Sequence, residues 1–129
     1  MTDSLIRRTE VMVVEDTAAS LALLSELLTQ VGYTVRPAPG GAMALRSAQA
    51  SPPDLILLDL NLPKRNGYDV LMRIKSHRRM REIPVVVLTS STNREDTMQS
   101  FDLQAELYVT KRGSIEEYTE AFRRIEGYL

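Results

Sequence analysis

Short apolar runs alternate along the chain with stretches of helical periodicity. Residues 11–14, 55–58 and 83–88 are almost continuously apolar, as the strands of a parallel sheet covered on both faces must be. Shorter runs at 33–36 and 107–109 bring the number of candidate strands to five. The alternation predicts an α/β fold in which a doubly wound, five-stranded parallel sheet is packed between five helices.

The segments between these runs place apolar residues on one face of a helix. In the first segment, Leu21, Leu24, Leu28 and Val31 follow each other at intervals of three or four residues, and Gly32 then provides a stop. Pro37 and the residues after it are expected to end the second strand. Further helices are predicted over about residues 42–50, after Gly67, over about 93–103, and from Ser114 to the carboxyl end.

Length and composition restrict the classes of protein that are possible. The 129 residues suit a single domain, and 43% hydrophobic with 26% charged residues is typical of a globular protein. The absence of cysteine excludes disulfides, a thiol nucleophile and thiolate metal ligands. The apolar runs are too short to span a membrane, and the amino terminus lacks a secretory h-region. We therefore expect a cytoplasmic protein with a flexible segment over residues 1–8 and one domain over 9–129.

Polar side chains follow the apolar runs at the points where four of the predicted strands end. Glu15 and Asp16 follow the first strand, Asp59 the third, Thr89 the fourth and Lys111 the fifth. The carboxyl ends of parallel strands meet at one edge of a sheet, where ligands bind in such folds. Clustered carboxylates repel one another unless a cation lies between them, and Mg²⁺ binds carboxylate and phosphate oxygens together. The pattern predicts a site for Mg²⁺ and a phosphoryl group.

Four segments of the chain carry a resemblance to a known family. They are Val13-Val14-Glu15-Asp16, the stretch from Leu57 to Pro63 followed by Asn66-Gly67, the stretch from Pro84 to Ser90, and Tyr108-Val109-Thr110-Lys111. In order and spacing they resemble the CheY-like receiver domains of two-component response regulators, over about residues 9–129. The resemblance implies a flavodoxin-like fold with strand order 2-1-3-4-5. Residues 58–67, 89–91 and 125–129 are most similar to the stand-alone regulators paired with bacterial phytochromes.

The resemblance implies a role for each residue of the carboxylate cluster. Asp59 would accept a phosphoryl group from a histidine kinase, and the similarity to phytochrome regulators makes a bacterial phytochrome a candidate for that kinase. Asp16, Asp59 and the backbone carbonyl of Asn61 would bind Mg²⁺ directly, and Glu15 would bind it through water. The chain would then act as a phosphoprotein in a phosphorelay, catalysing only its own phosphorylation and dephosphorylation.

The resemblance also implies a switch beside the phosphorylation site. Lys111 would neutralise charge on the phosphoryl oxygens, and Thr89 would form a hydrogen bond to them. Tyr108 would turn inward as Thr89 moves, or it is simply a half-buried aromatic residue of a strand. Arg112 stands where the family usually has proline, and a cis peptide bond without proline costs about 2.5–4 kcal/mol. The sequence therefore does not decide the backbone conformation at Lys111.

The implied output is a change in protein binding on the face formed by the fourth helix, fifth strand and fifth helix. The partner would be an unidentified downstream protein, with neither nucleic acid nor membrane involved. Ile115, Tyr118 and Tyr128 on the last helix also suggest a homodimer through this face. Two alternatives from other classes are an aspartate-nucleophile phosphohydrolase, whose nucleophile would follow the first strand, and a flavin-binding module, which would need a phosphate loop there.

The charge is unevenly distributed along a chain whose net charge is only −1. Seven Lys or Arg and a single acid, Asp69, lie between Lys64 and Arg81, so this segment carries +6 and the remainder −7. The segment is either a solvated basic surface or a docking site for an acidic partner. His77 lies within it and has no partner at catalytic spacing, so we expect it to be exposed.

Overall fold

The computed structural model describes residues 9–59, 67–89, 107–110 and 123–124. In chain order the elements are β1 (Glu10–Val14), α1 (Ala18–Val31), β2 (Thr34–Ala38), α2 (Gly41–Ala50), β3 (Leu55–Asp59), α3 (Gly67–Ser76), β4 (Val85–Thr89) and β5 (Leu107–Thr110). Arg123 and Arg124 are helical. Within the described ranges, no helix is long and apolar enough to cross a membrane. The predictions for residues 1–8 and 93–103 lie outside these ranges, as does most of the predicted last helix.

The five strands form one parallel sheet in the order β2-β1-β3-β4-β5. This confirms the predicted α/β class and strand order. Val11–Val14 of β1 pairs with Leu55–Leu58 of β3, and Asp59 at the end of β3 pairs with Leu88 of β4. Because all strands run in the same direction, their carboxyl ends lie at one edge of the sheet.

Alternate residues of the central strands contribute to two separate hydrophobic cores. Met12, Val14, Ile56 and Leu58 belong to the core beneath α2 and α3, which also contains Val70, Leu71 and Ile74. Val11, Val13, Leu55 and Leu57 belong to the core beneath α1, together with Leu24 and Leu28. Side chains alternate between the two faces of a strand. The continuous apolar runs therefore arise because both faces of the sheet are covered.

Two features of the first half differ from the predictions. The second strand continues through Pro37 to Ala38, and Pro37 pairs with Val13. A proline is tolerated there because β2 is an edge strand, so its missing N–H removes no hydrogen bond from the centre of the sheet. On α1, Val31 is 40% exposed, although it shares the spacing of the buried Leu24 and Leu28, because it is the last residue of the helix.

The end of α1 follows the prediction made from Gly32. Its backbone has φ 117°, in the left-handed region, and its N–H donates to the carbonyls of Leu28 and Thr29. Glycine adopts this conformation without the steric cost that a Cβ would add. The chain is thereby redirected into β2, where the Thr34 N–H donates to the carbonyl of Thr9.

Candidate functional site

Three carboxylates converge at the carboxyl edge of the sheet. One oxygen from each of Glu15, Asp16 and Asp59 can be chosen so that all three atoms lie within 4.8 Å of one another. Glu15 and Asp59 are 0% and 1% exposed, whereas Asp16 is exposed to solvent. The structure therefore brings together the acids that end the first and third apolar runs, as the sequence analysis predicted.

The local backbone determines where Glu15 and Asp16 lie. Glu15 continues the line of β1, since its N–H donates to the carbonyl of Ala38 at 3.1 Å. Its Oε1 accepts the N–H of Thr17 at 3.1 Å, where the chain turns into α1. The Glu15 side chain therefore holds the turn between β1 and α1 that places Asp16 beside it. Sequence reasoning assigned Glu15 a role in metal binding but missed its structural role in this turn. No spacing of residues in the sequence indicates that role.

The donor set of this cluster suits a hard divalent cation. Around an octahedral Mg²⁺ with bonds of about 2.1 Å, ligand oxygens lie about 3 Å apart when adjacent and about 4.2 Å apart when opposite. The three carboxylate oxygens lie within 4.8 Å of one another, which is close to these separations. Small side-chain movements or a bridging water would complete the coordination. Buried carboxylates this close also repel, which a cation would relieve.

The remaining predicted site residues are only partly described. Thr89 ends β4 and pairs with Thr110, the last residue of β5, while Tyr108 pairs with Val87. These backbone positions lie on β4, which is adjacent to β3, and on β5, which is adjacent to β4. Asn61, Lys111 and Arg112 lie outside the described residues, as do Ile115, Tyr118 and Tyr128 of the predicted dimer face.

The alternative of an aspartate-nucleophile phosphohydrolase fits the site poorly. That alternative places its nucleophile after the first strand, where Glu15 is bonded to the Thr17 N–H and Asp16 is exposed. The buried aspartate instead ends β3. The turn after β1 also passes directly into α1 through Asp16 and Thr17, which leaves no glycine-rich loop for the phosphate of a flavin.

Comparison with known proteins identifies the family. Residues 11–123 match the family described as the response regulator receiver domain. The chain is 37% identical over 127 residues to the response regulator Rcp1 of Synechocystis sp., covering 92% of this chain and 86% of Rcp1. It is also 40% identical over 115 residues to the transcriptional regulatory protein KdpE of Mycobacterium tuberculosis, of which it spans only half the length.

Solved structures agree with this assignment. The phosphorylated cyanobacterial phytochrome response regulator RcpA matches with a TM-score of 0.82 and 38% identity, over 94% of this chain and 93% of RcpA. The Mn²⁺-bound form of Rcp1 matches with a TM-score of 0.82 and 34% identity, over 92% of each chain. The similarity to RcpA agrees with the predicted likeness to phytochrome-paired regulators. By sequence, strand order and overall structure, this chain belongs to the family of response regulator receiver domains.

Proposed function

We propose that this chain is a phosphorylation-dependent signalling module whose phosphoacceptor is Asp59. One observation carries the proposal, namely the convergence of the Glu15, Asp16 and Asp59 carboxylates at the carboxyl edge of the sheet, with Asp59 at the end of a central strand. The receiver domain would extend over residues 9–129. The phosphoryl donor would be a histidine kinase, and the likeness to a phytochrome response regulator supports a bacterial phytochrome as that kinase.

In the proposed reaction an Asp59 carboxylate oxygen attacks the phosphorus of a phosphohistidine. An O–P bond forms and the P–N bond breaks, while the leaving imidazole nitrogen keeps the electron pair and takes a proton from water. Asp16, Asp59 and the carbonyl of Asn61 would hold Mg²⁺, with Glu15 binding it through water. When bound, the ion would neutralise charge on the phosphoryl oxygens. Buried Glu15 would also keep Asp16 in place through its bond to the Thr17 N–H.

The proposed response to phosphorylation involves β4 and β5. Lys111 would pair with the phosphoryl oxygens, and Thr89 would donate its hydroxyl hydrogen to them. Tyr108, on the strand beside β4, would then occupy the space that Thr89 vacates. A local change in charge would thus shift the equilibrium between two conformations of β4 and β5. The output would be altered binding of a downstream protein, or of a second copy, on the face that includes β5.

A mass measurement tests the proposal directly. After incubation with acetyl phosphate and Mg²⁺, we expect the intact protein to gain the mass of one phosphoryl group. Asp59→Asn should abolish the gain, because an amide oxygen is too weak a nucleophile to replace the carboxylate. The matched control is Asp69→Asn, which removes a carboxylate paired with Arg73 on α3 and should leave labelling unchanged. Equal labelling of wild type and Asp59→Asn would refute the assignment.

A further inference from the structure

A groove opens between α2 and α3 on the face of the sheet that they cover. It has a volume of about 320 Å³ and is lined by Leu45, Gln49, Arg73, Ser76, His77 and Met80. These residues extend from the middle of each helix to its end and into the turn after α3. Because helices between parallel strands run back toward the strand starts, the groove lies near the amino edge of the sheet. It is roughly one strand length, about 16 Å, from the carboxylate cluster.

The floor of the groove is apolar and fixed. Met80 is 2% exposed and belongs to the core beneath α2 and α3, and Leu45 packs against the same core. The rim is polar, with Gln49 and Ser76 exposed on the two helices. A site of this kind takes an apolar side chain at its centre and hydrogen-bonding groups around it.

His77 is held in one arrangement at the rim, contrary to the expectation that it is exposed. It is half-buried, and its Nδ1 accepts the N–H of Arg79 at 3.1 Å. Its own carbonyl accepts the N–H groups of Met80 and Arg81. With Nδ1 engaged, Nε2 is the ring nitrogen left to donate to a ligand. The turn that positions His77 also positions the arginines beside it.

The charge around the groove is strongly positive. Arg73 pairs with Asp69 at 3.1 Å, and Arg81 lies 3.9 Å from Glu82. The exposed Arg78 and Arg79 have no carboxylate partner among the described residues. Arg73 lines the groove, and Arg78 and Arg79 directly follow His77, which also lines it. This surface therefore complements a ligand that is acidic at its ends and apolar at its centre.

We infer that this groove is a docking site for an acidic segment of another protein, which inserts an apolar side chain between Leu45 and Met80 and presents carboxylates to Arg78 and Arg79. Nucleic acid fits less well, because the described residues that line the groove include no Phe, Tyr or Trp on which a base could stack, and the chain is net negative. The site is separate from Asp59, and its lining includes no residue of the carboxylate cluster.

Binding of a defined peptide tests the inference. The probe is a fluorescein-labelled peptide Asp-Glu-Asp-Leu-Glu-Asp-Glu, and its counterpart has Asn and Gln in place of the acids. We expect saturable binding of the acidic peptide by fluorescence anisotropy, weakened at high salt, and amide NMR shifts confined to residues around His77, Arg78 and Arg79. The Arg78→Glu/Arg79→Glu variant should raise Kd at least about tenfold, since both charge pairs become repulsive.

The matched control is Arg7→Glu/Arg8→Glu, which changes the net charge equally at the other end of the sequence. Its Kd should stay within about twofold of wild type, because nonspecific attraction alone responds to net charge. Circular dichroism checks that both variants fold. Equal weakening in the two variants, equal binding of the amide peptide, tighter binding of duplex DNA, absence of binding, or a concentration-dependent dimer abolished by Arg78→Glu/Arg79→Glu would each overturn the inference.

Discussion

Glu15 combines two properties that ordinarily exclude each other in a side chain. It is fully buried, yet it contributes a carboxylate to a cluster of three. One oxygen accepts the Thr17 N–H, which satisfies a donor at the start of α1. Burial of an acid is therefore tolerated here because the group also completes the backbone turn.

Two substitutions of Glu15 should separate these roles. Glu15→Gln keeps an oxygen for the Thr17 N–H and removes the charge, so we expect weaker Mg²⁺ binding with little loss of stability. Glu15→Ala removes the acceptor as well, and leaving a donor unsatisfied should cost about 1–3 kcal/mol of unfolding free energy. Urea unfolding without metal and an Mg²⁺ titration measure the two effects. Equal destabilisation by both variants would show that the charge, rather than the acceptor, supports the fold.

At the scale of single residues, the sequence predicted which acids come together better than it predicted how buried each one is. Asp59 and Glu15 could be predicted as candidate site residues because each is an acid that directly follows an apolar strand, and this change in polarity is visible in the sequence. The difference in burial between Glu15 and its neighbour Asp16 could not be predicted, since it depends on which way the chain turns into α1. His77 was expected to be exposed because it lies in a polar stretch, and its half-burial beside Leu45 and Met80 depends on packing that the local sequence does not contain.

At the scale of elements, Arg36 connects the start of β1, the edge strand β2 and the end of α2. Its Nε and one terminal nitrogen bind the two carboxylate oxygens of Glu10, and Nη1 donates to the Ser51 carbonyl at 2.6 Å and to Ser47 at 3.2 Å. The exposed fractions of the Arg36 and Glu10 side chains are only 19% and 29%. The guanidinium thus binds the carbonyls that end α2, where a cation is favoured.

Loss of this connection should destabilise the first half of the sheet. We expect Arg36→Ala to lower the unfolding free energy by about 2 kcal/mol, because Glu10 and the last carbonyls of α2 lose charge-assisted partners. Arg73→Ala is the matched control, since its pair with Asp69 is exposed on α3, and it should cost no more than about 0.5 kcal/mol. Urea unfolding compares the two, and similar losses would contradict the special role of Arg36.

The existence of the helices and strands could be predicted from the sequence more accurately than the residues at which they end. The apolar runs at β1 and β3 could be read directly, since both faces of each strand are covered. The end of β2 was wrong because Pro37 was taken as a break, and only the order of strands reveals that β2 lies at an edge where proline is allowed. Boundaries depend on neighbours, which local periodicity does not contain.

At the scale of the whole molecule, an acidic cluster and a group of arginines, both among the described residues, lie at opposite edges of the sheet. The acidic cluster lies at the carboxyl edge, whereas the arginines that follow α3 lie toward the amino edge. The net charge of −1 conceals this division. Strand order creates it, because parallel strands bring residues 15, 16 and 59 together from distant parts of the chain. The sequence predicted this convergence from the topology alone, without any contact being visible in it.

We expect the carboxylate cluster to make stability depend on divalent cations in a way that ionic strength alone does not reproduce. Repulsion among the three carboxylates opposes folding, and an ion that binds only the folded state adds RT ln(1 + [Mg²⁺]/Kd), about 1.4 kcal/mol at ten times Kd. We therefore expect Mg²⁺ to raise the thermal midpoint above that in KCl of equal ionic strength. Asp16→Asn/Asp59→Asn should raise the metal-free midpoint and abolish the response to Mg²⁺, whereas Asp69→Asn should keep that response. A response retained by the double variant would mean that the stabilising ion binds elsewhere.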